Sequence, residues 1–134
     1  MHAFSGNDYV SSFFRKGKIL FWKKIKSCPE YLNTFSELGN FNHTDLESFV
    51  CALYGYLRCK SVDKVRSLIF INKFKSENQA FDICNLPPCS KNLLFHINRS
   101  NYVSSIYKNA SRIQIELEPP IEHGWDDQGN SILV

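Results

Sequence analysis

An acid set into a small-residue turn stands a short way ahead of a basic, glycine-containing stretch in this chain. Ser5-Gly6-Asn7 leads into Asp8 and Tyr9, and Arg15-Lys16-Gly17-Lys18 follows. A carboxylate directly after a glycine turn suits a hard divalent cation, which prefers oxygen ligands. A glycine turn opening a helix offers backbone amides and the positive helix end to a phosphate. Lysines beside it add attraction to a nucleic-acid backbone that does not depend on sequence. Asp8 and Gly17 are nine residues apart, so the two features form one site only if the fold brings them together. The plain alternatives are a turn or helix-capping aspartate and a solvated basic helix face.

The elements around these residues read as mostly helical. Asp8 to Phe14 is expected as a short helix, and Arg15–Lys18 as a hairpin. Ile19 to Ser27 alternates apolar and basic groups at helical spacing, with Ile19, Leu20, Trp22 and Ile25 inward. Pro29 suits the first turn of a further short helix and Gly39 its stop. Thr44-Asp45-Leu46-Glu47 has the form of a capping box, ahead of a stripe of Leu46, Phe49, Val50, Leu53, Tyr54 and Leu57. Ser61 is expected to cap a helix to about Phe74, with Val62, Val65, Leu68 and Ile69 inward. Residues 75–89 read as an irregular connection closed by Pro87-Pro88. Ser90 is expected to cap a long helix to about Ala110, carrying Leu93, Leu94, Ile97, Tyr102, Val103 and Ile106. Ile113–Leu117 alternates like a strand, and Asp126–Asn130 reads as a turn before Ser131–Val134.

Composition fits one globular domain of 134 residues or part of a larger one, with 11 Phe and 6 Tyr as core material. The net charge of +3 is unevenly spread. Six cations stand against Asp8 before residue 27: Arg15, Lys16, Lys18, Lys23, Lys24 and Lys26. After Arg112 there are five acids and no cations. The asymmetry suggests an anionic partner for the front of the chain. Five irregularly spaced cysteines with no Cys-x-x-Cys pair argue for mostly buried free thiols and a reducing compartment. No secretory leader and no membrane-spanning run is read. The expected setting is intracellular and nuclear, away from membranes.

Other chemistry-bearing residues have ordinary explanations. His96, among Leu94, Phe95 and Ile97, reads as a satisfied, half-buried helix histidine. His123 precedes Gly124-Trp125, where packing of Trp125 on the helices is expected. Glu116, Glu118 and Glu122 read as a solvated edge. No nucleophilic triad, P-loop or dinucleotide fingerprint is present.

Ser-Gly-Asn-Asp-Tyr, a turn with Gly17 and an amphipathic helix together resemble the flap-endonuclease-like branch of the PIN-domain 5′ nucleases, over about residues 2–38. In that family a Gly-x-Asp-Tyr segment supplies a metal-binding aspartate, and a helix–hairpin–helix arch behind it grips duplex DNA. The resemblance implies Asp8 as a metal ligand and Gly17 as the second hairpin glycine. It sets Ser12, Arg15, Lys16 and Lys18 against phosphates, with Lys23 and Lys24 adding to the DNA-binding face. Arg15 stands where the first hairpin glycine would be, and Lys18 where a proline is usual. The family's other acidic ligands lie upstream of this motif, so the resemblance implies a longer parent with an N-terminal nuclease half. Mg2+ would belong to that parent, and none is expected for this chain alone.

Leu86-Pro87-Pro88-Cys89, the run from Leu94 to Tyr102 and Pro119-Pro120-x-x-His123-Gly124-Trp125 are similar to a tail found in long animal reading frames of mobile-element character. The expectation is a mainly α fold, a helix–hairpin–helix followed by a small helical bundle with a short extended tail. Three stretches are drawn: 1–39 nuclease-like, 40–110 helical and 111–134 an extended acidic tail. The expected function is a partial or degenerate nuclease-derived module that binds the duplex DNA backbone without cutting. The rival expectations are a helical interaction or structural domain, and the C-terminal part of an active metal-dependent 5′ nuclease.

Overall fold

The computed structural model describes residues 1–36, 40, 42–75, 82–114 and 116–128. Among them lie six α-helices: α1 (His2–Ser5), α2 (Lys18–Ser27), α3 (Glu30–Thr34), α4 (His43–Leu53), α5 (Val62–Phe74) and α6 (Ser90–Asn109). A single 3₁₀ turn spans Ile83–Asn85. The fold is mainly α, as the periodicity predicts. No strand occurs among the described residues, and the extended tail is replaced by one isolated bridge between Ile121 and Trp125. Residues 113, 114, 116 and 117 carry no strand. Residue 115, the Gly39 stop and residues 129–134 lie outside the described residues.

Helix starts differ from expectation in an instructive way. Asn42, not Thr44, caps α4, its Oδ1 accepting the Thr44 amide at 2.9 Å. Glu47 is thereby free to act elsewhere, and its Oε1 accepts the Val62 amide at 3.0 Å, capping α5 from the neighbouring helix. Ser61 caps α5 as expected. Ser90 is the first residue of α6 rather than its cap, and its amide bonds the Asp63 carboxylate of α5 at 2.9 Å. Two carboxylates thus satisfy orphan amides across helix pairs, where opposite charge also suits the helix dipole. The Ser90 bonds hold the Asp63 carboxyl below its ordinary range.

The α4 helix stops short of Leu57. Gly55, at φ 95°, ends it, with its amide on Ala52 O and the Tyr56 amide on Cys51 O. That is the left-handed reversal that glycine adopts without a Cβ penalty. Leu57 is consequently exposed. Two more expected core residues, Leu68 and Leu94, also lie at the surface.

The core is built around Phe4. Its ring meets Phe13, Phe21, Phe35, Phe49 and His96 with centroids 5.0–6.4 Å apart. Leu46, Val50, Val62, Val65, Leu93 and Ile97 complete one cluster, and Ala3, Val10 and Val103 form a second beside it. On α2 the buried pair is Phe21 and Ile25, whereas Ile19 is 74% and Trp22 48% exposed. Helix α2 carries apolar residues on two faces, and the Phe4–Phe49 aromatic contacts decide which one is covered.

Helix α1 has only four residues and cannot satisfy its own peptide groups. Helix α6 meets it: His96 Nε2 lies 2.8 Å from Phe4 O, while Ser100 Oγ gives its proton to His96 O at 2.8 Å and lies 3.4 Å from Ala3 O. A carbonyl only accepts, so Nε2 carries a proton. Burial pushes the His96 pKa from its ordinary 6.5 down to about 4. The unfolded chain then binds the extra proton between those values, so stability falls as pH drops from about 6.5 and levels off below about 4. The loss should be on the order of 3 kcal/mol. Chemical denaturation at pH 7.5 and pH 4.5 should show it, and the pH dependence in this window should be much smaller in His96→Gln. An equal slope in that variant would show that other groups carry it.

Candidate nucleic-acid interface

The segment between α1 and α2 is not the expected short helix. Asp8–Val10 form a bend and residues 11–13 run without helix. Asn7 explains this: its Oδ1 accepts the amides of Tyr9 and Val10 at 2.8 and 2.9 Å, and its own amide bonds Val10 O. A side chain that mimics a backbone turn competes directly with helix. The turn role open to Asp8 therefore falls to Asn7. Val10 and Phe13 are buried anchors, and Asp8, Tyr9, Ser11, Ser12 and Phe14 between and beside them face outward.

Behind Phe13 the chain reverses. The Lys16 amide bonds Phe13 O at 3.0 Å, closing a turn over Phe14 and Arg15. The left-handed residue of this turn is Arg15, at φ 53°, not Gly17. Gly17 is extended, at φ −72° and ψ 168°, and begins α2 with its carbonyl accepting the Leu20 amide at 2.9 Å. The cap residue Gly17 has no side chain to offer, no side chain among the described residues caps the start of α2, and a Cβ on Gly17 would meet nothing within 4 Å. This corner is open to solvent. Gly6 is the tight glycine instead, since a Cβ there would lie 2.6 Å from Ser12 Cβ.

The two turns face each other across a shallow cleft of about 570 Å³, lined by Ser5, Gly6, Asn7, Ser12, Gly17, Lys18 and Ile19. Three of the predicted DNA-binding residues, Ser12, Gly17 and Lys18, thus share one concavity. Lys16 leans back over the Tyr54 ring at 4.6 Å. Burial, then the nearby Lys24 charge, lowers its pKa. Lys24 is half-buried and Lys23 exposed. Arg15 lies 5.0 Å from the Phe14 ring and Lys26 5.2 Å from Trp22. Among the described residues no ion pair joins any of these cations to a carboxylate.

Asp8 lines a different cleft, with residues of α6 and the C-terminal segment. No group of three or more His, Cys, Asp or Glu that could hold a metal occurs among the described residues. The spaced Cys84, Cys89 and His96 do not converge into one. All five cysteines are free, and only Cys51 is fully buried, its thiol pushed up to about 12 chiefly by burial.

The acidic tail docks on α6 rather than on the basic turn. Arg99, only 3% exposed, donates from Nη1 to Gly124 O at 2.7 Å. Gly124 must be glycine: its φ is 96°, and a Cβ would lie 2.6 Å from Phe95 O. Tyr102 donates to Glu118 O at 2.8 Å, and its ring meets His123 and Trp125. Trp125 packs on the helices as expected. Arg99 escaped the sequence reading; its signal was its place between His96 and Val103 on the buried stripe of α6.

In comparison with known proteins, the chain matches no family model, no curated protein and no solved structure.

A non-glycine residue at Arg15's left-handed backbone costs roughly 1 kcal/mol. Arg15→Gly should leave thermal stability equal or raised by up to about 1 kcal/mol, offset by glycine's greater unfolded freedom. Arg15→Val should lower it by at least about 1 kcal/mol, since a β-branched residue tolerates this region worst. Equal losses in the two variants would refute the turn as described.

Proposed function

We propose that this chain is a nucleic-acid-binding module that holds the phosphate backbone of duplex DNA without reading bases. The observation that carries the reading is the open start of α2. Gly17 is uncovered, no side chain among the described residues caps the first amides, and Lys18 and Ser12 line the same cleft. Backbone amides at a helix start, a hydroxyl and an ammonium are a natural set for one phosphate. Lys23 on the exposed side of α2 and Arg15 on the turn extend the positive field, with no internal carboxylate to cancel it among the described residues.

The resemblance to flap-endonuclease-like arches supports the same reading, as a partial or degenerate form of that module. The left-handed Arg15 stands where such an arch carries its first glycine. Two-ion hydrolysis needs several carboxylates about one pocket. Cutting would therefore require acids and Mg2+ supplied by a longer parent, and binding is the activity proposed for this chain. A duplex DNA partner would set its work in the nucleus. No helix among the described residues is long and apolar enough to cross a membrane.

A protein-interaction role is the second reading. It is favoured by the outer half of α5, where Phe70, Ile71 and Phe74 are exposed.

Fluorescence anisotropy with a labelled mixed-sequence duplex decides between them. Binding should weaken steeply with salt and vary little with sequence. Lys18→Glu with Lys23→Glu should weaken it about tenfold or more at low salt and make the log–log salt slope shallower by about 1 to 2. Unchanged affinity in that double variant, or strong preference for one sequence, would overturn the proposal.

A further inference from the structure

The largest concavity among those described belongs to none of the phosphate-facing residues. It holds about 690 Å³ and is walled by Tyr9, Tyr102, Tyr107, Trp125 and Pro120, over a floor of Val103 and Ile106. Among the described residues its one charged lining residue is Asp8. Three parts of the chain contribute: the loop after α1, the last turns of α6, and the segment after Pro119.

Two of the aromatic walls, Tyr102 and Trp125, are held in place. Tyr102 and Trp125 stand nearly perpendicular, at 68° with centroids 5.5 Å apart. The Tyr102 hydroxyl is tied to Glu118 O, and the Tyr107 hydroxyl accepts from Asn7 Nδ2 at 3.5 Å. Trp125 is fixed by its neighbour Gly124, whose carbonyl is bound by the buried Arg99. Tyr9 is 68% exposed and stands at the rim beside Asp8.

Aromatic faces present negative potential, and several of them about one point attract a cation that water solvates weakly. Asp8 adds a carboxylate at the same place, and no lysine or arginine among the described residues lines the cleft. Ordinary ammonium groups keep their water, whereas alkylated ones present methyl groups that suit an apolar wall. We propose that this cleft is a cage for a trimethylated ammonium group, with Tyr102 and Trp125 as its fixed walls and the half-exposed Tyr107 as a third. Asp8 is the counter-charge and Tyr9 the outer wall. This assigns Asp8 to an organic cation, and it stands independently of the duplex-binding proposal. The group could arrive as a free choline-type molecule or as a trimethyl-lysine side chain.

Isothermal titration with choline, with a short trimethyl-lysine peptide and with 3,3-dimethylbutanol tests the cage. The last is choline's shape without its charge. Quenching of Trp125 is followed in parallel in a Trp22→Phe background. Either cation should saturate one site per chain and bind at least tenfold more tightly than the neutral alcohol. Tighter binding of the peptide assigns the cage to a modified side chain, and tighter binding of choline assigns it to a free molecule. Asp8→Asn and Tyr9→Ala, both at exposed positions, should each weaken binding about threefold to tenfold while circular dichroism stays unchanged. Equal affinity for the neutral alcohol, equal affinity for the unmethylated lysine peptide, or no saturable signal with either cation would overturn the proposal.

Discussion

The contact between the Phe4 carbonyl and the His96 ring carries most of this architecture. Helix α1 is a single turn, too short to persist alone, yet its second and third residues sit at the centre of the core. Burying a carbonyl without a partner costs about 1 to 3 kcal/mol, so the Phe4 ring can occupy the core only if α6 meets its backbone. His96 does so from α6. The consequence reaches beyond α1. With Phe4 fixed, Phe13, Phe21, Phe35 and Phe49 have a common centre to pack on. Phe13 and Phe21 bracket the turn and the start of α2. The open corner at Gly17 is therefore positioned from within, by two rings on either side of it.

The same logic governs the other end of the chain. Arg99 is a buried cation with no carboxylate partner among the described residues, and burial lowers its pKa. Its Nη1 bond to Gly124 O offsets only part of its desolvation, and its Nε has no partner. The bond nevertheless fixes Gly124, a residue whose missing Cβ lets the tail lie this close to α6. A side chain at residue 124 would collide with the α6 backbone, and the reversal at φ 96° would be strained besides. Trp125 follows at once and lands between Tyr102 and the Ala3–Val10–Val103 cluster. A buried guanidinium thus helps build an aromatic cleft about one to two helical turns further along α6.

What the sequence made legible was helix existence and much of the core. The stripes of α4 and α6 and the Ser61 cap on α5 follow from local spacing and capping chemistry. What it hid was decided by partners far along the chain. Glu47 reads as half of a local capping box, but Asn42 caps α4 and Glu47 serves α5. Ile19 and Trp22 match a helical apolar stripe as well as Phe21 and Ile25 do, and the rings of Phe4, Phe13 and Phe49 about Phe21 select between them. Asn7 overrode a helical reading of residues 8–14 through two side-chain bonds that residue spacing cannot show. Of the candidate site, the fold gathers Ser12, Gly17 and Lys18 in one cleft and Lys16 with Lys24 nearby, while Asp8 lines another.

The charge asymmetry of the chain could have been an internal affair, with the acidic tail folding back on the basic turn. Backbone and ring contacts argue against it for the residues described. Glu118 approaches His123 at 3.3 Å, its carbonyl takes the Tyr102 hydroxyl, and Gly124 takes Arg99. Each of these ties the tail to α6 or to itself. The tail is thus committed to α6 by directional bonds and close packing, which resist salt far better than surface charge pairs do. Its carboxylates are not delivered to Arg15, Lys16 or Lys18, and the positive field around the start of α2 is left for an outside anion to meet.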